Sequence, residues 1–451
     1  MKRIKKTKLP DILVSLIIPL SGLVMLVNTF THPPTNSYDY IVHEESIRNN
    51  QDLDSLLPTQ LHPRLSYNPP LYYLLFGKIN HLIELVISRP LDPYYLFRIA
   101  HILFIMVIAI LYAYSLIPHL TKKKGLRSWF ILGLFILPNL YLTQVMVRAD
   151  HLLLLFVHLL FYFWFRFDFP KELAFSTWRI CAWSICLIGM ANSRNLALPA
   201  FLLFFTWGLL IVLPHVLAKK PFQNRVKILL ILCATLILSS SHYAYTYYTT
   251  GNLFRLPVTP YNIHYYEKQK DFDRSLLFLN FQFDRLYENP NRFAKFKTGN
   301  SFLPRLYGDM WADHWLYFSG KELRQESKKT TKRIVLIYAS LFTVFYFTIP
   351  VFQSLAGCFS LIKRKALNWK NTAALLFLGG IILFVLFVYD YSEVGKNSSV
   401  KFCYLLGYYW FPLFSLLGFL EKHPRITRIF YIYTITLYLM CIPLYIYLLR
   451  I

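Results

Sequence analysis

Read from its amino terminus, the chain alternates long apolar runs with short basic stretches. Six runs, Ile12–Phe30, Ser128–Val147, Ile228–Thr250, Asn371–Tyr389, Phe402–Leu420 and Ile429–Leu449, contain no Asp, Glu, Lys or Arg. A hydrocarbon core of ~30 Å needs roughly 20 apolar residues per helix, so each run predicts a transmembrane helix. With the more interrupted runs the pattern predicts eleven spans, over residues 11–31, 94–117, 128–147, 150–167, 174–192, 195–217, 227–248, 333–361, 371–390, 402–420 and 428–449. The predicted fold class is an all-α polytopic membrane protein, with residues 1–451 forming one transmembrane domain.

Composition agrees. Of 451 residues 56% are hydrophobic and only 16% charged, below the roughly 25% of a soluble domain. The net charge of +25 raises the question of nucleic acid. The basic residues, however, fall into separated clusters, "KRIKKTK", "TKKKGLR", "AKKPFQNRVK", "KRKALNWK" and "EKHPRITR". Nucleic acid needs one continuous basic surface, so no nucleic-acid partner is expected. Clusters between apolar runs are instead the orientation signal of cytoplasmic loops. With a cytoplasmic amino terminus, every cluster falls on that side. The first run is long for a signal-peptide core and no small-residue cleavage pattern follows it, so it reads as a retained helix. Six cysteines lie within apolar runs without C-x-x-C spacing, which predicts neither a disulfide framework nor a structural zinc site.

This topology puts two long segments, 32–93 and 249–332, outside. The first contains "NPPLYYLLFGKINHLIELVIS", Asn68–Ser88, in which Lys78, His81 and Glu84 interrupt an apolar helix. That pattern predicts an interfacial helix; a short true span is the alternative, and it would spoil the charge alternation. "NSS" at Asn397 matches a glycosylation sequon and is external in this topology, which matters only where the host glycosylates there.

Four stretches together resemble the GT-C-fold glycosyltransferases, the class of the protein O-mannosyltransferases, the aminoarabinose transferases and the sugar transferases of lipid-linked oligosaccharide assembly. They are the acidic "YDYIVHEE" after the first span, the interfacial "NPPLYYLL", "VRADHLLLLF" opening the fourth span, and the external "LYGDMWADHW". "KFCYLLGYYWFP" adds a weaker likeness to the opening of a late span. One departure stands out: Asp39 is followed by Tyr40, where the family carries an Asp-Glu pair, and the glutamates come later, at Glu44 and Glu45.

The resemblance implies transfer of a sugar from a polyprenyl-phosphate donor to a glycan, lipid or protein acceptor at the external membrane face, with inversion. A carboxylate must take the acceptor's proton and cations must hold the departing phosphate. Asp39 is the candidate base, on one helical face with His43 if the segment is helical; helix capping is the alternative role. Asp150 is the second catalytic candidate, or else an N-cap paired with Arg148. His43 and Glu44 are candidate substrate contacts. Arg194, Arg148 and Lys401 are candidate phosphate ligands, or residues that snorkel to the interface. Asp309, Trp311 and Asp313, with His314 and Trp315, make either a sugar-binding surface or an aromatic interfacial belt. The reaction requires no cofactor; a divalent cation held by Asp150, His151 and His43 is an open alternative. The external motif places the chain, by resemblance, in a bacterial inner membrane, with the ER membrane as the alternative. Two other classes stay open: a transporter or flippase for a lipid-linked or anionic substrate, and a non-catalytic scaffold.

Overall fold

The computed structural model describes residues 9–32, 40–51, 69–87, 93–167, 177–219, 222–250, 278–279, 302–311, 326–363, 367–391 and 402–447. Among the described residues there is no β-strand. The described part is that of an all-α membrane protein. Among the described residues five helices are long and apolar enough to cross a bilayer, and up to seven if each of two bent pairs is one span.

Helix α1 (Leu9–Thr31) is followed by a short α2 (Tyr40–Arg48) and by α3 (Leu71–Ile87). Helix α4 (Pro93–Leu111) continues through a π-helical turn, Tyr112–Leu116, to Leu120. Then come α5 (Lys124–Leu134), α6 (Pro138–Gln144), α7 (Asp150–Arg166), α8 (Thr177–Ala191), α9 (Leu198–Lys219) and α10 (Phe222–Thr250). After α11 (Phe302–Trp311) lie α12 (Glu326–Ile362), α13 (Trp369–Tyr391), α14 (Phe411–Lys422) and α15 (Pro424–Tyr447).

Helix α7 is the hub, packed against α4, α8 and the 3-10 turn Phe402–Tyr408 that precedes α14. It is apolar on nearly every face and is buried along its length, as a helix hydrophobic all round should be. The outer helices turn leucine and isoleucine outward instead: Leu230 and Ile237 of α10, Ile337 and Leu355 of α12, and Ile432 and Leu439 of α15 are exposed. In water such faces would drive aggregation; in a bilayer they meet lipid.

Two predicted spans are corrected. Residues 128–147 do not form one helix: α5 and α6 meet at 48°. Residues 402–420 are likewise broken, the 3-10 turn meeting α14 at 62°. Proline is the physical cause, because it lacks an N–H and clashes with the preceding turn. Pro138 opens α6 and Pro412 lies in the first turn of α14. The two breaks face each other. Trp410 donates its indole N–H to the Leu134 carbonyl at 3.0 Å, and Tyr409 bonds through its hydroxyl to Asn139 Oδ1. Irregular backbone at membrane depth survives only with partners of this kind. Boundaries shift elsewhere too: α12 begins at Glu326, seven residues before the predicted start at 333.

Candidate functional site

The ends of α1, α6 and α8 converge on α4 and α7. Arg98 of α4 makes the junction. Wholly buried, it donates from Nε to Val145 O (2.8 Å) and from Nη1 to Thr29 O (2.8 Å) and His32 O (2.7 Å). Its guanidinium sits 3.5 Å from the Tyr94 ring centroid. Carbonyls at a helix end carry partial negative charge, so the arginine finds charge complement in the ends of α1 and α6. Gln144 adds hydrogen bonds to Thr29 Oγ1 and Arg98 O, each 3.1 Å. The chain leaving α6 is thereby aimed so that Arg148 and Asp150 enter the core.

Asp150 opens α7, where an acidic side chain suits the positive helix end. Arg148 Nε donates to its Oδ2 at 2.9 Å. Arg194, in extended conformation between α8 and the turn Asn195–Ala197, brings Nε to 3.2 Å from Oδ1. The second contact is one of charge rather than of hydrogen-bond geometry. All three side chains are at most 6% exposed. Removing two guanidiniums and a carboxylate from water costs several kcal/mol per ion, so their meeting is enforced by the fold. Tyr404, half-buried, lies against both arginines, its ring centroid 4.4 Å from Arg148 Cζ and 5.4 Å from Arg194 Cζ. Arg148 Nη1 also donates to Cys403 Sγ at 2.8 Å. Gly407 lets this turn close on α7, since a Cβ there would stand 2.8 Å from Leu153 Cγ.

A histidine–tyrosine layer covers the centre. His43 of α2 bonds through Nδ1 to the Tyr73 hydroxyl at 3.0 Å. Tyr72 bonds to His101 Nε2 at 3.0 Å, and the His101 ring stacks on His151 with centroids 3.7 Å apart. Burial first, then Arg148, Arg194 and His101, hold the His43 imidazole well below its usual range, so it is neutral. Helix α3 carries this layer: Leu71 N–H donates to Asn192 O at 3.1 Å, tying its start to the end of α8 beside Arg194.

No family model and no curated protein matches this chain. Its site rests on its own geometry.

Of the residues singled out in the sequence, the structure brings together Arg148, Asp150 and Arg194, with His43 and His151 beside them. The proposed metal grouping does not form. Among the described residues no three His, Cys, Asp or Glu side chains could hold an ion together. Asp150 is turned between two arginines, and His151 Nδ1 contacts the Arg148 carbonyl at 3.2 Å. Glu44 sits elsewhere, paired with Arg48 one turn on at 2.9 Å. Asp309 accepts from Phe402 N–H at 2.6 Å and takes Asn139 Nδ2 on its carbonyl at 2.7 Å, so it braces the 3-10 turn and the helix breaks. Trp311 is fully buried, its indole N–H given to Thr343 Oγ1 at 2.7 Å; neither a sugar platform nor an interfacial belt describes that position. Asp39, Asp313, His314, Trp315, Asn397 and Lys401 lie outside the described residues.

Sequence reasoning missed Arg98, His101, Tyr72, Tyr73, Tyr404 and Cys403. Arg98 left a signal, a fixed charge inside a predicted span, which is a functional hypothesis by default. Tyr404 left none, as one of 33 tyrosines.

Proposed function

We propose that this chain is a membrane glycosyltransferase of GT-C-like architecture, with eleven spans and its chemistry at the external face. It would take a sugar from a polyprenyl-phosphate donor and pass it to a glycan, lipid or protein acceptor. The observation that carries the reading is the meeting of Arg148 and Arg194, each through Nε, on the two oxygens of buried Asp150. Guanidiniums bind phosphate with a planar fork, and a carboxylate between two of them fixes their separation. Asp150 therefore organises the arginines, which hold the departing phosphate. Both of its oxygens face guanidiniums, a poor arrangement for taking a proton. The proton acceptor is then expected in the segment that opens α2, where the sequence places Asp39 and His43. A cell membrane of bacterial type suits the motifs; membrane lipid and the donor's own chain complete the environment.

A second reading, a transporter or flippase for a lipid-linked or anionic substrate, is favoured by one observation. Two broken helices face each other, as they do at transporter binding sites. Here, though, the breaks are closed by Trp410, Tyr409, Asn139 and Asp309 acting on one another's polar groups.

Proteoliposomes containing the chain and labelled polyprenyl-phosphate-linked hexose or aminopentose separate the two. Transfer yields a new labelled product when membrane lipid or oligosaccharide acceptors are added. Translocation yields only intact donor exposed on the other leaflet, and that result would replace the first reading by the second.

A further inference from the structure

His43 combines features that a merely structural histidine does not need. Its ring is buried, 5% exposed, and fixed through Nδ1 by Tyr73. Its Nε2, the other ring nitrogen, makes no hydrogen bond among the described residues. The Tyr73 bond sets the plane of the ring, and the close approach of α2 to α3 sets its position. At Gly77 a Cβ would stand 2.5 Å from Asn50 O and 2.8 Å from Ile47 O, so only glycine admits this contact. Ile47, Tyr73, Val147 and Ala149 share one buried cluster, which seats α2 beside the backbone that carries Arg148.

Among the described residues, charged and titrating groups reach the ring from several elements. Tyr73 lies on α3, His101 on α4, Arg148 ahead of α7 and Arg194 ahead of α9. On its own helix Glu44 is taken by Arg48 and Glu45 is exposed. Burial is the first cause that keeps a proton off His43, and the two guanidiniums add to it. An anion resting on them would cancel the guanidiniums' part of that opposition. Resting on the reading of the arginines as a phosphate site, we propose that His43 is the proton acceptor of this centre, taking up a proton when an anionic phosphodiester occupies Arg148 and Arg194.

In sugar transfer the consequence is ordered chemistry. The acceptor oxygen forms its bond to the anomeric carbon and its proton passes to His43 Nε2. The bond from the anomeric carbon to the phosphate oxygen breaks, its electron pair staying on the phosphate. The imidazolium then returns the proton to water once the phosphate leaves. Without a donor the imidazole is a weak base, so the site is quiet until the lipid phosphate is seated.

The test does not require turnover. Binding of methyl citronellyl phosphate, a diester that does not titrate near neutrality, is measured calorimetrically near pH 6 in two buffers of different ionisation enthalpy. Wild type should take up protons on binding, and its affinity should rise up to about tenfold per unit fall in pH between the free and bound pKa values. His43→Gln, where it binds, should take up none. Binding by wild type without proton uptake, or uptake retained in His43→Gln, overturns the proposal alone. No binding by the wild-type chain overturns the phosphate reading, and the proposal with it. Where His43→Gln fails to fold, Tyr73→Phe, which frees Nδ1 without touching the imidazole, should shift the pH at which uptake occurs; an unchanged profile counts against the proposal.

Discussion

Arg194 and Asp150 stand 3.2 Å apart in the core although they come from the starts of different helices. Arg148 reaches the same carboxylate at 2.9 Å from the other side. No property of either helix alone calls for this. Three charges enter a buried region at large desolvation cost, and Arg98, Gln144 and Asn192 are arranged so that the chain delivers them there.

Removing the carboxylate should therefore leave two buried guanidiniums facing each other. Asp150→Ala is expected to destabilise the protein by about 3 kcal/mol or more, seen as a lower unfolding temperature in detergent. Asp150→Ala with wild-type stability would show that the two contacts contribute nothing.

Gly77 has backbone carbonyls, not a pliable side chain, in the way of any Cβ. Gly77→Val should push α2 off α3 and cost about 1–3 kcal/mol by overpacking. The same change should break the His43–Tyr73 contact, which the chemical shift of labelled His43 would report.

Asp309 braces the turn at Phe402. Asp309→Ala leaves that N–H unsatisfied and should cost about 1–3 kcal/mol, while Asp309→Asn, which keeps an acceptor oxygen, should cost less. Unchanged stability in Asp309→Ala would return this residue to a role in ligand binding.

The depressed His43 titration carries a sign. An unfolded histidine accepts a proton near its usual value, and the folded one does so only well below it. Stability at this site is full above pH ~6.5 and is lost as pH falls from there toward the folded value. Unfolding temperatures measured from pH 7.5 to 4.5 should fall more steeply in wild type than in His43→Gln.

Much of the fold was legible in the apolar pattern. Among the described residues five helices, or up to seven with the two bent pairs, are long and apolar enough to span, because uninterrupted apolar length is what the bilayer demands. The breaks at Pro138 and Pro412 were not read, although proline announces them. The largely buried α7 reads the same as a lipid-facing span, since hydropathy does not distinguish protein from lipid as a neighbour. At the site, Arg148, Asp150 and Arg194 were legible because charges in apolar chain are costly and need a reason. Their partners Tyr404, Tyr73 and His101 were not, because aromatic residues belong in such a chain whether or not they face a ligand. Trp311 shows the reverse error: an aromatic motif that looked exposed is closed against Thr343 and Phe342.

The most direct measurement is single-turnover consumption of labelled polyprenyl-phosphate-linked sugar by the purified chain in nanodiscs, with wild type compared with Arg194→Lys and Arg194→Gln. Arg194→Lys keeps the charge but loses the planar fork, and transfer should fall at least tenfold; Arg194→Gln should lose it by about 100- to 1000-fold. Equal donor consumption by all three proteins, at equal folded fraction, would contradict a phosphate-holding role for the arginine pair.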